Sequence, residues 1–133
     1  MSGPGEDAEG VLGAAARLVD AFARFDKAEY FACFRGDASF VFYNSPIEFS
    51  ERARYEREWD EWVRDGWRVL SCTSTNPRAR MLDRDTALFA HEVHTTLGPL
   101  EESTILHERE TIIFCREAGG WLAVHEHLSS FPV

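Results

Sequence analysis

ERETIIFCREAGGWLAVHEHLSS, residues 108–130, is the stretch that decides the fold of this chain. Its β-branched and aromatic residues predict two strands, and Gly119-Gly120 supplies the tight turn between them. Polar groups are set into the apolar run: Arg109 on the first strand, His125 and His127 on the second, among Ile112, Ile113, Phe114, Trp121 and Val124. Residues two apart in a strand share a face. His125 and His127 are therefore expected to point the same way as Trp121 and Ala123, and Arg109 the same way as His107, Thr111, Ile113 and Cys115. With regular pairing, one face of the hairpin presents Arg109, His125 and His127 together, and that face is expected to line a hollow.

Upstream, the pattern is strand-like back to Gly66. Trp67–Thr75 is predicted as a strand stopped by Asn76-Pro77. Arg78–Leu82 and Thr86–Leu97 follow as strands around a turn at Asp83-Arg84-Asp85, and Gly98-Pro99 breaks the chain before a long strand from Glu101 to Arg116. Before Gly66 the period changes. Val11, Leu12, Ala15, Leu18, Val19, Phe22 and Phe25 follow the spacing of one apolar helix face. Asp26 and Glu29 are placed as a capping box for a short second helix, which Gly36 can end. Ala38–Tyr43 is a strand by composition. A third helix is expected after Ser50, with Tyr55, Trp59, Trp62 and Val63 on one stripe and Gly66 at its end. Helices first and strands joined by short turns afterwards predict an α+β fold: a strongly curved antiparallel sheet packed against N-terminal helices, enclosing a cone. Residues 1–7 are expected to be a flexible tail and 8–133 a single domain.

Composition narrows the function classes. The net charge of −9, with Lys27 the only lysine, argues against nucleic acid and against an anionic membrane surface. Cys33, Cys72 and Cys115 lie far apart with no CxxC spacing, which suits reduced thiols in a cytoplasmic protein. No apolar run approaches the roughly 18 residues of a membrane span, and the acidic start MSGPGEDAEG is neither a signal nor a transit peptide.

With these landmarks the chain resembles the nuclear transport factor 2-like (NTF2-like) superfamily, also called SnoaL-like or ketosteroid isomerase-like. It is most similar there to the association domain of calcium/calmodulin-dependent protein kinase II and its stand-alone bacterial relatives. The residues that carry the resemblance are Asn76-Pro77 with the later run Ala87–Ala90, the pair Glu110-Thr111, Arg116 before the Gly turn, and the closing WxxVHxHLS from Trp121 to Ser129. It covers roughly residues 8–130. The resemblance implies a cone-shaped fold, a homodimer through the open sheet face with a larger oligomer as an extension, and no organic cofactor. It breaks at Val93, where the kinase domain carries an arginine. It breaks again at Tyr43-Asn44-Ser45-Pro46, where ketosteroid isomerases keep a catalytic Asp.

Several side chains are candidates for chemistry. Arg109 suits a bidentate clamp on a ligand carboxylate, or a structural ion pair with Glu92, Glu110 or Glu126, or a subunit contact. His125 and His127 suit a general acid/base pair, since histidine titrates near neutrality, or hydrogen-bonded core or interface groups. An HxH pair also offers two zinc ligands, with His107 or His91 needed as a third; no metal is assigned. His91 is expected to line the cone beside Ala87, Phe89 and Val93. Tyr43 is placed to donate to a ligand oxygen at the rim, and Trp59 and Trp62 to wall the cavity or simply form core. The leading expectation is a protein that binds a small, perhaps anionic, organic molecule, with acid/base chemistry of the isomerase, dehydratase, cyclase or hydrolase type. The alternative is a non-catalytic association module.

Overall fold

The computed structural model describes residues 4–132. Three helices, α1 (Pro4–Ala23), α2 (Lys27–Ala32) and α3 (Arg52–Arg64), precede or interrupt five strands: β1 (Phe34–Phe42), β2 (Arg68–Met81), β3 (Thr86–Gly98), β4 (Thr104–Glu117) and β5 (Gly120–Ser130). Of the expected tail, residues 1–3 lie outside the described residues. Residues 4–7 form the first turn of α1, where Pro4 takes the position that needs no backbone donor.

The strands form one sheet in the order β1-β5-β4-β3-β2. Strands β2 to β5 run antiparallel, whereas β1 joins β5 in parallel. The chain leaves β1 at one edge, crosses through α3 to β2 at the other edge, and returns strand by strand to β5 beside β1. Asn76-Pro77, expected to end a strand, is instead a bulge inside a continuous β2. Asn76 takes a left-handed φ of 52° there and the register shifts between Thr75 and Arg78. The β4–β5 turn has positive φ at Ala118 and Gly119, the geometry that matches the twist of a two-residue hairpin.

Asp26 caps α2, its Oδ1 accepting from the Glu29 amide at 3.1 Å. That helix ends at Ala32, so Phe34 and Gly36 belong to β1 rather than to the helix. Helix α3 follows Glu51 without a side-chain cap, and Gly66, at φ 99°, lets the chain turn back into β2.

The core lies between the helices and the concave face of the sheet. Phe34, Phe40, Phe89, Ile112 and Phe114 are fully buried there, each stabilising the fold by about 2 kcal/mol from removed apolar surface. Tyr30, Tyr55 and Trp59 pack with Phe22, Phe31 and Trp67 into a continuous aromatic layer under α1 and α3. Among the described residues, no helix packs over the opposite, convex face of the sheet.

Candidate functional site

A cavity of about 470 Å³ opens where the aromatic layer stops short of the sheet. Leu18, Phe22, Phe42, Trp62, Trp67 and Leu128 contribute to an apolar wall. The floor is different: Glu108 and Glu110 from β4 and Glu126 from β5 all line the cavity. The three are buried. Strand geometry explains their convergence. Glu108, Glu110, Ile112 and Phe114 alternate onto the concave face of β4, and Glu126 stands opposite Ile112 in the β5 register.

Hydrogen bonds join the floor into a chain. Ser74 Oγ lies 2.6 Å from His91 Nδ1, and His91 Nε2 lies 2.7 Å from Glu110 Oε1. The Glu126 carboxyl meets that of Glu110. Tyr30 Oη donates to Glu126 Oε1 at 3.2 Å and lies 3.0 Å from Tyr55 Oη. Two carboxylates this close and this buried cannot both be charged. Burial raises Glu110, to about 7, despite the hydrogen bond from Glu126 that favours its ionised form; the nearby Glu108 charge raises it further. Burial raises Glu126 well above the carboxylate range, and the Glu110 charge and hydrogen bond push it the same way. Glu110 is the first of the two to ionise, and once it does, as pH passes about 7, the remaining proton rests on Glu126, which donates to it. Burial and the Arg78 guanidinium lower His91 to about 4. At neutral pH His91 is thus uncharged, its Nε2–H donating to Glu110 and its Nδ1 accepting from Ser74. With Glu110 ionised, one proton is shared by the two carboxyls facing the cavity.

Glu108 sits closer to the mouth. It is 2 % exposed, burial raises its carboxyl, and the Tyr43 hydroxyl against it offsets part of that rise. Its Oε2 has no hydrogen-bond partner among the described residues.

The SnoaL-like domain profile matches residues 11–133, nearly the whole chain. The chain belongs to the SnoaL-like domain family. Solved NTF2-like structures share the fold at low identity. A ketosteroid isomerase-like protein from Erwinia carotovora atroseptica superposes with a TM-score of 0.82 at 15% identity, covering 96% of this chain and 98% of that one. A candidate scytalone dehydratase from Novosphingobium aromaticivorans gives 0.78 at 14%, covering 93% and 83%. A candidate calcium/calmodulin-dependent protein kinase II association domain from Xanthomonas campestris gives 0.76 at 19%, covering 92% and 86%. No curated protein matches the sequence.

Within this SnoaL-like domain the expected site residues divide between two faces of the sheet. Arg109, His125 and His127 do share a face, as expected, but it is the convex one and not the cavity. The cause is a bulge. Phe114 pairs with Ala123 while Ile113 pairs with His125, so Val124 is an extra residue that reverses the alternation along β5. Trp121 and Ala123 point into the core, and after the bulge Glu126 takes that direction while His125 and His127 turn away. Arg109 is exposed, its guanidinium 4.8 Å from the centre of the Phe131 ring. His125 bonds Ser39 Oγ through Nδ1 at 2.7 Å. His91 lines the concave side as expected, one hydrogen bond behind the floor, and so on the opposite face from His125 and His127. A zinc site built from all three is therefore ruled out by geometry. Trp62 walls the cavity, whereas Trp59 is buried in the aromatic layer behind it. Tyr43, 44 % exposed, stands at the rim with its hydroxyl turned to Glu108.

In the sequence Glu110 and Glu126 stand as partners for Arg109, with Glu110 also a family marker and Tyr55 on an apolar helix stripe, and nothing marks Glu108, Tyr30 or Tyr55 as part of a site. One signal was available. Ile112 and Phe114 share parity with Glu108 and Glu110, and a strand's bulkiest apolar side chains mark its core face.

Proposed function

We propose that this SnoaL-like domain is an acid/base enzyme, of the isomerase or dehydratase type, acting on a small ring compound held in the cavity. The observation that carries the reading is the Glu110–Glu126 pair, which shares one proton at the floor of a mainly apolar cavity. The roles expected of His125 and His127 pass to these two carboxyls. The ionised Glu110 takes a proton from a carbon or hydroxyl of the ligand, and Glu126 gives its proton to the developing oxyanion or departing hydroxyl. The pair ends with one proton, as it began, so no outside acid or base is needed. Carboxyls with raised proton affinity perform such transfers near neutral pH because donor and acceptor strengths are then matched to the medium. His91, held by Ser74, fixes the Glu110 carboxylate, and Tyr30 fixes Glu126. Five lining residues are acidic and none is basic, so the anionic ligand expected from Arg109 is disfavoured. The ketosteroid isomerase-like and dehydratase neighbours agree with this reaction class as analogies of fold.

The test is proton exchange at carbon. 2-Tetralone in D₂O, followed by proton NMR, is expected to lose its α-protons faster with the protein than in buffer, and Glu110→Gln is expected to abolish the acceleration. No acceleration, or acceleration that survives Glu110→Gln, would sink the reading.

We propose in addition that the convex sheet face pairs with a second copy. It carries Ile105, 75 % exposed, and the stacked rings of His94, His107 and Phe131, with no helix among the described residues over them. Light scattering distinguishes a dimer from a monomer and from the large ring of an association module.

A further inference from the structure

We infer that the cavity selects ligands bearing a protonated amine, with Glu108 as the counter-charge; the inference rests on the reading of the cavity as a ring-ligand site. Three independent features point to it. Glu108 Oε2 is buried, lines the cavity and has no hydrogen-bond partner among the described residues. A buried carboxylate oxygen left unpaired is costly, and the cost is recovered when a donor arrives from the ligand. The electrostatic balance then chooses the donor. Glu58 and Asp65 add acidic groups to the lining beside the floor trio, and no lysine, arginine or histidine compensates them there. A neutral hydroxyl would satisfy the hydrogen bond and leave the charge; an ammonium satisfies both. Finally, Phe22, Phe42, Tyr55, Trp62 and Trp67 give the cavity aromatic surfaces, which attract a cation through the ring quadrupole. The Tyr43 hydroxyl lies towards the same carboxyl from the rim. The amine would sit at Glu108, nearer the mouth, while the reacting atoms reach the Glu110–Glu126 pair one alternate strand position deeper.

The experiment compares three near-isosteric probes: 2-aminotetralin, cationic at neutral pH, 2-tetralol, neutral, and tetralin-2-carboxylate, anionic. Binding is read by quenching of tryptophan emission, to which Trp62 and Trp67 in the wall respond, and checked by calorimetry. The amine is expected to bind at least about tenfold more tightly than the alcohol, with the carboxylate weakest, since charge-assisted hydrogen bonds are roughly twice as strong as neutral ones. Glu108→Gln is expected to bring the amine down to the alcohol's affinity and to leave the alcohol within about twofold of its wild-type value. An alcohol that binds wild-type protein as tightly as the amine overturns the inference while the ring-ligand reading survives. So does an amine preference that persists in Glu108→Gln. Failure of all three probes to bind overturns both together.

Discussion

Replacing Glu110 by Gln changes one atom in shape and removes a titrating group from the floor of the cavity. His91 can still donate to the new carbonyl. The consequence is read in the pH dependence of stability. Glu110 titrates at about 7 in the folded protein against an ordinary 4.5. Below 4.5 both folded and unfolded chains hold this proton. As pH rises, the unfolded chain releases it first, so the folded state becomes progressively less favoured until the folded carboxyl also ionises. The stability this group contributes is thus fully present below its unfolded value and lost as pH rises through its folded value. At about 1.4 kcal/mol per pH unit, the gap amounts to about 3 kcal/mol. Removing the Glu110 charge also relieves Glu126, whose proton affinity that charge raises, and this acts in the same direction. Urea unfolding followed by tryptophan emission at pH 4.5, 6 and 8 measures the effect. Relative to wild type, Glu110→Gln is expected to gain about 3 kcal/mol between pH 4.5 and 8. Taking the difference cancels His91, whose lowered value makes its own contribution run the opposite way. If the two stability curves run parallel from pH 4.5 to 8, the carboxyl is not held protonated by burial and the reasoning fails.

Tyr30→Phe deletes the hydroxyl between Tyr55 and Glu126 and is expected to cost about 2 kcal/mol by urea unfolding at pH 5, about 1 kcal/mol for each of the two buried hydrogen bonds lost. Arg109→Ala removes only an exposed contact to Phe131, so a loss of about 1 kcal/mol or less and unchanged binding of 2-tetralol are expected; loss of binding would return Arg109 to the cavity. His91→Leu takes a donor from Glu110, so the Glu110 carboxyl is expected to titrate at higher pH than in wild type when followed by carbon-13 NMR.

The sequence was most informative where one interaction dominates. The helix faces, the Asp26 cap, the Gly66 stop and the closing hairpin follow from periodicity and turn chemistry, and the motifs of residues 108–129 pointed to the family that the matched profile confirms. The site was less legible, because it depends on which face of a strand looks inward, and one added residue reverses that. The Val124 bulge carries no Gly, Pro or Asn to announce it, so Trp121 and Ala123 made His125 and His127 look inward. On β4 the difficulty was chemical. A run of Glu-Arg-Glu suggests that the arginine is the residue needing a reason to be buried, yet the arginine lies outside and both glutamates lie within. Sequence patterns favour the opposite outcome, since isolated buried carboxyls are rare. Here His91, Tyr30 and a shared proton make the burial tolerable, and the two side chains come from β3 and α2, far apart in the chain.

The central claim is that Glu110 and Glu126 share a proton at the floor of the cavity. Carbon-13 NMR of protein labelled at the glutamate side-chain carboxyl, titrated from pH 3 to 9, tests it directly. Two resonances are expected to titrate far above the rest as a coupled pair, and Glu110→Gln and Glu126→Gln should each remove one of them and simplify the other. If instead every glutamate apart from Glu108 titrates in the ordinary range near 4 to 5, the shared proton does not exist and the acid/base account of the cavity is contradicted.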